Sequence, residues 1–238
     1  MVIRTLQAAV DKIKFARHLV VLTGAGFSVQ SGVPEFRSSR GWWRQIDPVT
    51  VATVDALEYN YNLFHGFYST RIEHLKTVNP HDGHHILVKW EVDERLRLIV
   101  TQNVDGLHQR AGNNRVQELH GSIGTYRCHH CGNKGEQVSF LGKIRCFCGG
   151  NFRPDIILFG ESLPSEAWEK STEAIRDADV VLVMGTSLQV APVNQLPFLT
   201  SGELILINQE PTGLEQHFDI VIQDSVVKTL TAIDQFIG

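Results

Sequence analysis

Five short runs of apolar residues recur along the chain, at 19–22, 98–100, 156–159, 180–184 and 204–207, with a weaker sixth at 220–222. Each of the five stops at a glycine or a polar side chain. Runs this short, rich in Val, Ile and Leu and without polar alternation, read as strands buried on both faces, the hallmark of a parallel sheet. Helical spacing lies between several of them. In the stretch 5–17, Leu6, Ala9, Val10, Ile13 and Ala16 recur at i, i+3, i+4 and i+7, and 165–176 and 225–236 are further helical stretches. Strands alternating with helices imply an α/β fold, a Rossmann-like parallel sheet covered on both faces.

Two stretches break the alternation. Residues 42–87 are rich in aromatics, histidines and helix formers and carry no strand signal, and 121–153 hold all four cysteines and many glycines. They read as two insertions that build a smaller helical and zinc-binding domain. The expected division is 1–41, 88–120 and 154–238 for the nucleotide-binding domain, and 42–87 with 121–153 for the small one. Cys128 and Cys131 have knuckle spacing, and Cys146 and Cys148 form a second pair after fourteen residues. That clustering points to one zinc ion. Four thiolates leave no open position, so the ion is structural. The second pair is C-x-C, which needs a turn to aim both sulfurs inward, and His129 or His130 is an alternative ligand.

The strand ends point to a nucleotide. The first run leads into Gly24-Ala25-Gly26-Phe27-Ser28, where backbone N–H groups at a strand-to-helix turn can meet a phosphate. The match to G-x-G-x-x-G is incomplete, because Val29 takes the third glycine's place, and a tight turn without ligand is the competing reading. Gly185-Thr186-Ser187 follows the fourth run and Asn208 the fifth. In open α/β sheets ligands sit beyond the carboxyl ends of strands at the switch point, which favours a nucleotide cleft. Asn208 suits a ribose hydroxyl, or an Asx turn before Pro211.

The run at 98–100 ends in Thr101-Gln102-Asn103-Val104-Asp105-Gly106-Leu107-His108. Such dense polar side chains either satisfy one another or hold a ligand, and Asp105 equally suits a helix cap. Of eleven histidines, His120 is the strongest candidate for proton transfer. It ends a short strand at 115–119 and precedes a glycine, and imidazole titrates near neutral pH. His84 and His85 suit a helix start.

Together these strings resemble the sirtuins, the NAD-dependent protein deacylases. The resemblance rests on GAGFSVQSGVPEFR (24–37), TQNVDGLH (101–108), ELHGS (118–122), RPDIILFGE (153–161), GTSLQVAP (185–192) and INQEP (207–211), with the four cysteines in place. It covers nearly the whole chain in the family's order. It implies that Gly24, Ala25, Gly26 and Ser28 cradle the pyrophosphate of NAD with Gly185, Thr186 and Ser187. Phe36 and Arg37 would line the nicotinamide side, and Gln102 and Asn103 would hold the nicotinamide ribose and an ordered water. Asp105 would bind the carboxamide and Asn208 the adenosine ribose. His120 would be the general base, with Asn103 beside it in catalysis. Ile157 and Phe159 would border the acyl-lysine tunnel. The implied reaction transfers the acyl group from lysine to ADP-ribose and releases nicotinamide. Three positions depart from the commoner pattern: Phe27 replaces a smaller aliphatic residue, Glu35 an Asp, and His81 an Asn. Tyr68 and Arg71 have the Y-x-x-R spacing some sirtuins use for acidic acyl groups, which puts them on one helix face. A solvated face is the simpler reading.

The partners expected are acyl-lysine-bearing proteins. Lys+Arg of 22 against Asp+Glu of 26 gives a net charge of −4, which speaks against direct nucleic-acid binding. No apolar run approaches the ~18 residues of a membrane span, and the cysteine usage suits a reducing compartment, so the cytoplasm is the expected location. An ADP-ribosyltransferase using the same NAD pocket is the competing activity.

Overall fold

The computed structural model describes residues 2–34 and 48–237. Helix α1 (Val2–Phe15) leads into β1 (Leu19–Thr23), followed by two single-turn 3-10 segments, Ala25–Phe27 and Val29–Ser31. Four helices come next: α2 (Pro48–Val51), α3 (Val54–Tyr59), α4 (Tyr61–Leu75) and α5 (Asp82–Val92). Then follow β2 (Leu96–Thr101), α6 (Leu107–Ala111), β3 (Val116–Glu118), β4 (Gly121–Cys128), β5 (Lys134–Gly135), α7 (Gln137–Leu141) and β6 (Phe152–Ile156). The chain closes with α8 (Ser165–Arg176), β7 (Val180–Met184), a 3-10 turn at Val193–Leu199, β8 (Glu203–Asn208), β9 (Ile220–Gln223) and α9 (Val226–Ile237).

Six strands form one sheet in the order β3-β2-β1-β7-β8-β9, and every neighbouring pair is parallel. The period-two alternation of a strand explains why its runs are apolar throughout. Leu19, Val21, Leu182, Met184, Ile205 and Ile207 face one core with residues of α1, α5 and α9. Val20, Leu22, Val181, Val183, Leu204 and Leu206 face the other with Ile175 of α8. The chain leaves β1 for β2 on one side, and β7 lies on the other, so the switch point falls between β1 and β7.

A second sheet, β5-β4-β6, is antiparallel. Its core joins both inserted stretches: Leu57, Phe64, Tyr68, Ile72 and Leu75 pack with Ile123, Tyr126, Phe140, Ile156 and Leu158. One expectation is corrected here. The run 156–159 is not a strand of the parallel sheet; the strand is β6, paired antiparallel with β4. The reason is where its backbone finds partners. Arg153 donates to the Ile156 carbonyl, Ile157 N donates to His120 O and Phe159 N to Ala52 O, while Leu158 N donates to the Glu161 carboxylate. These bonds set the run beside His120, Ala52 and Glu161 and outside the parallel sheet, with Phe159 in an isolated parallel bridge to Thr53.

Candidate active site

The loop after β1 and the loop after β7 lock together at the switch point. Gly24 N donates to Met184 O at 3.2 Å and Gly26 N to Gly185 O at 2.8 Å. Gly185 has φ +60°, and a Cβ there would lie 2.2 Å from Phe27 N. Only glycine fits that conformation and that approach. The Gly24 and Gly26 N–H groups are thereby engaged within the protein, and the glycines let the two loops close together at the strand ends, where open α/β sheets bind ligands.

The end of β2 joins the same place. Ser28 Oγ donates to Asp105 Oδ2 at 2.8 Å and accepts from Asn103 Nδ2 at 3.1 Å. Gln102 Nε2 donates to Thr186 Oγ1 at 2.9 Å. Asp105 also accepts from Leu107 N at 2.9 Å, so it caps the turn before α6 and ties down the glycine loop at once. Burial pushes its carboxyl up, opposed by Leu107 N–H, Ser28 and the charges of Arg71 and Arg110. Ser28, Asn103, Asp105 and Thr186 are all buried, whereas Ser187 is exposed. Asn208, at the end of β8, donates Nδ2–H to Glu210 O at 2.6 Å, a local bond that differs from an Asx turn because the side-chain nitrogen and not its oxygen is engaged. Phe36 and Arg37 lie outside the described residues, as does Glu35.

His120 stands between this network and the 157–161 segment. Its Nδ1 lies 3.1 Å from Gln102 O. A carbonyl only accepts, so Nδ1 carries the proton and Nε2 is the basic atom. Burial holds its pKa below the ordinary imidazole value, with the Gln102 bond opposing. The ring is therefore neutral at neutral pH. His120 O accepts from Ile157 N at 2.8 Å, which fixes Ile157 beside the histidine; Phe159 is exposed next along the segment. Nearby Glu118 is pushed up to about 6 by burial, with Asp105 adding to the rise against its bonds to Gln109 and Ser122.

The Y-x-x-R face is not solvated, contrary to the simpler reading. Tyr68 is 1% exposed, with its ring 4.6 Å from that of Phe64. Burial pushes its hydroxyl up to about 12. Half-buried Arg71 interacts electrostatically with Tyr68 and with Asp105, so it turns inward to the same cleft. The alternating polar and apolar residues of α4 hid this.

Several residues went unread in the sequence. Arg153 is fully buried and pairs with Glu161 through both guanidinium nitrogens, at 2.7 and 2.9 Å. The charges flanking the apolar run in RPDIILFGE were the available signal. A histidine trio lies under the glycine loop: His81, His84 and His108 surround the Phe27 ring at centroid distances of 5.1, 4.8 and 5.1 Å. His81 caps α5 by accepting from Gly83 N, and His84 completes a capping box by accepting from His81 N, as a helix-start role requires. Thr23 Oγ1 donates to Thr101 Oγ1 at 2.9 Å and contacts His108 Nε2 at 3.0 Å.

Burial lowers His84 to about 2 and His108 to about 3. Both must therefore stay neutral in the folded chain but charge when it unfolds below pH 6.5. Their contribution to stability is complete above that pH and is lost as pH falls toward 3, at about 1.4 kcal/mol per pH unit for each. Urea unfolding between pH 7 and 4 is expected to show this loss, and replacing His84 with Gln is expected to flatten the curve.

The four cysteines come together: Cys128, Cys131, Cys146 and Cys148 place their Sγ atoms within 4.8 Å of one another. Cys128 and Cys148 are 3.5 Å apart, Cys131 and Cys146 3.6 Å. A turn from Cys146 to Gly149 aims the C-x-C pair inward. His129 instead contacts Glu58, and no histidine joins the cluster among the described residues. Burial raises the Cys128 thiol, but the N–H groups of Cys131 and His130 outweigh it and bring it to about 7. The Asn133 N–H lowers the Cys131 thiol, but hydrogen bonds with the neighbouring thiols and burial outweigh it and hold it at about 12. A closed tetrahedral set of this kind fits a structural zinc ion.

Comparison with known proteins agrees with this geometry. The model of the Sir2 family matches residues 24–192. An NAD-dependent protein deacetylase 1 of Geobacillus kaustophilus is 49% identical over 212 residues, spanning 87% of this chain and 88% of that protein. An NAD-dependent protein deacylase of Aquifex aeolicus is 38% identical over 227 residues, spanning 92% and 95%. Among solved structures, a Sir2 homolog–NAD complex superposes with a TM-score of 0.91 at 32% identity, covering 97% of this chain and 93% of that one. A Sir2 variant with deacetylated p53 peptide and 3'-O-acetyl ADP-ribose gives 0.90 at 30% identity, covering 97% of each.

Proposed function

This chain belongs to the Sir2 family and is an NAD-dependent protein-lysine deacylase, and on that premise we propose how its residues divide the work. The observation that carries the proposal is His120. It is a neutral imidazole whose Nδ1 proton is spent on Gln102 O, and it stands between the locked glycine loops and the 157–161 segment. Bound NAD supplies the electrophilic ribose carbon and the hydroxyl that takes over the acyl group. Gly24, Ala25, Gly26 and Ser28 hold the pyrophosphate against Gly185, Thr186 and Ser187. Gln102 and Asn103 hold the nicotinamide ribose, with Asn103 also positioning water. Asp105 takes the carboxamide, Phe36 and Arg37 the nicotinamide side, and Asn208 the adenosine ribose. His120 Nε2 removes the ribose hydroxyl proton. Ile157 and Phe159 flank the acyl-lysine, whose peptide pairs with backbone of this segment.

The six-stranded sheet serves as the nucleotide-binding domain and the two insertions as the small domain, braced by zinc on Cys128, Cys131, Cys146 and Cys148. As an acyl-group transferase it acts on acyl-lysine proteins in the cytoplasm. The grouping of all four cysteines into one metal-ligating cluster rather than disulfides supports that location. No helix among the described residues is long and apolar enough to cross a membrane. A net charge of −4 supports protein rather than nucleic-acid substrates.

The inward turn of Tyr68 and Arg71 favours acidic acyl groups, since a guanidinium pairs bidentately with a carboxylate. Acetyl-, butyryl- and succinyl-lysine peptides, scored for nicotinamide release with NAD, test this. Succinyl-lysine is expected to be preferred, and Arg71→Met to lower kcat/KM for succinyl about tenfold or more while sparing acetyl. Equal effects on both substrates would assign Arg71 to Asp105 alone.

A further inference from the structure

Phe27 of the glycine loop and His81 at the start of α5 meet in the fold. The His81 Nε2–H donates to Phe27 O at 2.6 Å, while its Nδ1 accepts from Gly83 N at 3.0 Å. One imidazole thus links the cap of α5 to the backbone of the glycine loop. The two rings also touch, with centroids 5.1 Å apart, and Phe27 is 1% exposed. Phe27 is where the loop is pinned from two more sides. Its N–H donates to Gly24 O at 2.9 Å, and the α-carbon side of Gly185 closes on that same nitrogen. Gly83 allows the closeness on the helix side, because a Cβ there would lie 2.8 Å from His81 Cε1.

We propose that Phe27 and His81 are a matched pair of positioning residues that sets the seat of the glycine loop, and through it the affinity for NAD. Neither touches the reacting atoms. The aromatic ring fills the space between the loop and α5. The imidazole spans that space with a bond at each end. A smaller side chain at 27 leaves the space between the loop and α5 unfilled, so the loop is no longer held at the position that sets Phe27 O on the imidazole. An amide at 81 still caps the helix, as Asn does well, but is too short to reach the loop. Each change removes the same linkage, so the second costs little once the first is made. This inference rests on the reading of the loop as the NAD site and adds what holds it in place.

A double-mutant cycle tests it in the full chain: wild type, Phe27→Leu, His81→Asn and the double variant, each measured for NAD binding by calorimetry, for KM and kcat with an acyl-lysine peptide, and for melting temperature. Each single change is expected to raise the Kd and KM for NAD severalfold, with kcat at saturating NAD within about twofold. The double variant is expected to bind NAD about fivefold or more tighter than the product of the single effects predicts, the size usual for residues in direct contact. His81→Asn should melt close to wild type because the cap survives, which separates loop position from loss of fold. Multiplicative effects on both NAD affinity and melting, or an unchanged KM for NAD in both single variants, overturn the pairing. Wild-type protein that neither binds NAD nor releases nicotinamide would sink the NAD reading itself, a different result from additivity in a protein that does both.

Discussion

His120→Ala is expected to lower deacylation about 10²–10⁴-fold, the usual cost of losing a general base, while NAD still binds. The reason lies in which nitrogen is available. Gln102 O takes the Nδ1 proton, so the lone pair on Nε2 is the group's only basic site. Alanine removes it, and neighbouring Glu118 does not replace it, because its own partners are Gln109 and Ser122. The glycine loops are held by Met184, Gly185, Ser28 and Asp105, none of which depends on the imidazole, so NAD affinity should stay near wild type. The pH profile gives an independent check. A base must be neutral to act, and burial lowers the pKa of His120. The rate should therefore hold to a lower pH than a free imidazole would allow, falling only on further acidification, and His120→Ala should erase that limb. Stopped-flow or steady-state nicotinamide release against pH measures both.

The second large effect is structural. Glu161→Ala is expected to destabilise the protein by about 3–5 kcal/mol, because it strands the fully buried Arg153 without its counter-charge. For a chain of this size that corresponds to a fall in melting temperature of about 6–20 °C. The carboxylate also accepts from Leu158 N at 2.8 Å, so the change frees the segment carrying Ile157 and Phe159. Burial raises the Glu161 carboxyl, but Arg153, Leu158 N–H and Arg127 outweigh it and hold it below the usual carboxylate range. Its stabilisation is accordingly present above the unfolded-state value and lost as pH falls through the folded one. Thermal melting reports the loss of stability. In the less disruptive Glu161→Gln, which keeps an acceptor for Leu158 N, KM for the peptide should rise while KM for NAD stays put. A rise in both would mean that the pair braces the whole fold rather than the peptide segment.

The strands of the large sheet were legible because burial on both faces forces apolar runs, and strand ends are where such sheets bind ligands. Gly24, Gly185 and the Thr101–Asp105 stretch could be read for that reason, and the structure brings them within hydrogen-bonding reach. The cysteine cluster was legible from spacing alone. The run at 156–159 misled, because four apolar residues say only that they are buried, not in which sheet. Its true place depends on Arg153 and Glu161, whose pairing is set by tertiary contact and leaves no periodicity. The face of α4 that carries Tyr68 and Arg71 was equally hidden. Tyr68 is buried in a cluster that includes Phe140 and Leu158, residues distant in sequence. His84 was legible as a helix start, and His81 meets it within the cap of α5, but His108 joins them only when α6 packs against α5 under the loop after β1.

If lysine's acyl group passes to ADP-ribose at the cleft around His120, mass spectrometry of a reaction holding the protein, NAD and an acyl-lysine peptide will show it. The expected result is loss of the acyl mass from the peptide, one nicotinamide released per acyl group removed, and an acyl-ADP-ribose product, all suppressed in His120→Ala. An ADP-ribose adduct on protein with the acyl group still on the peptide would contradict it, as would deacylation that proceeds without NAD.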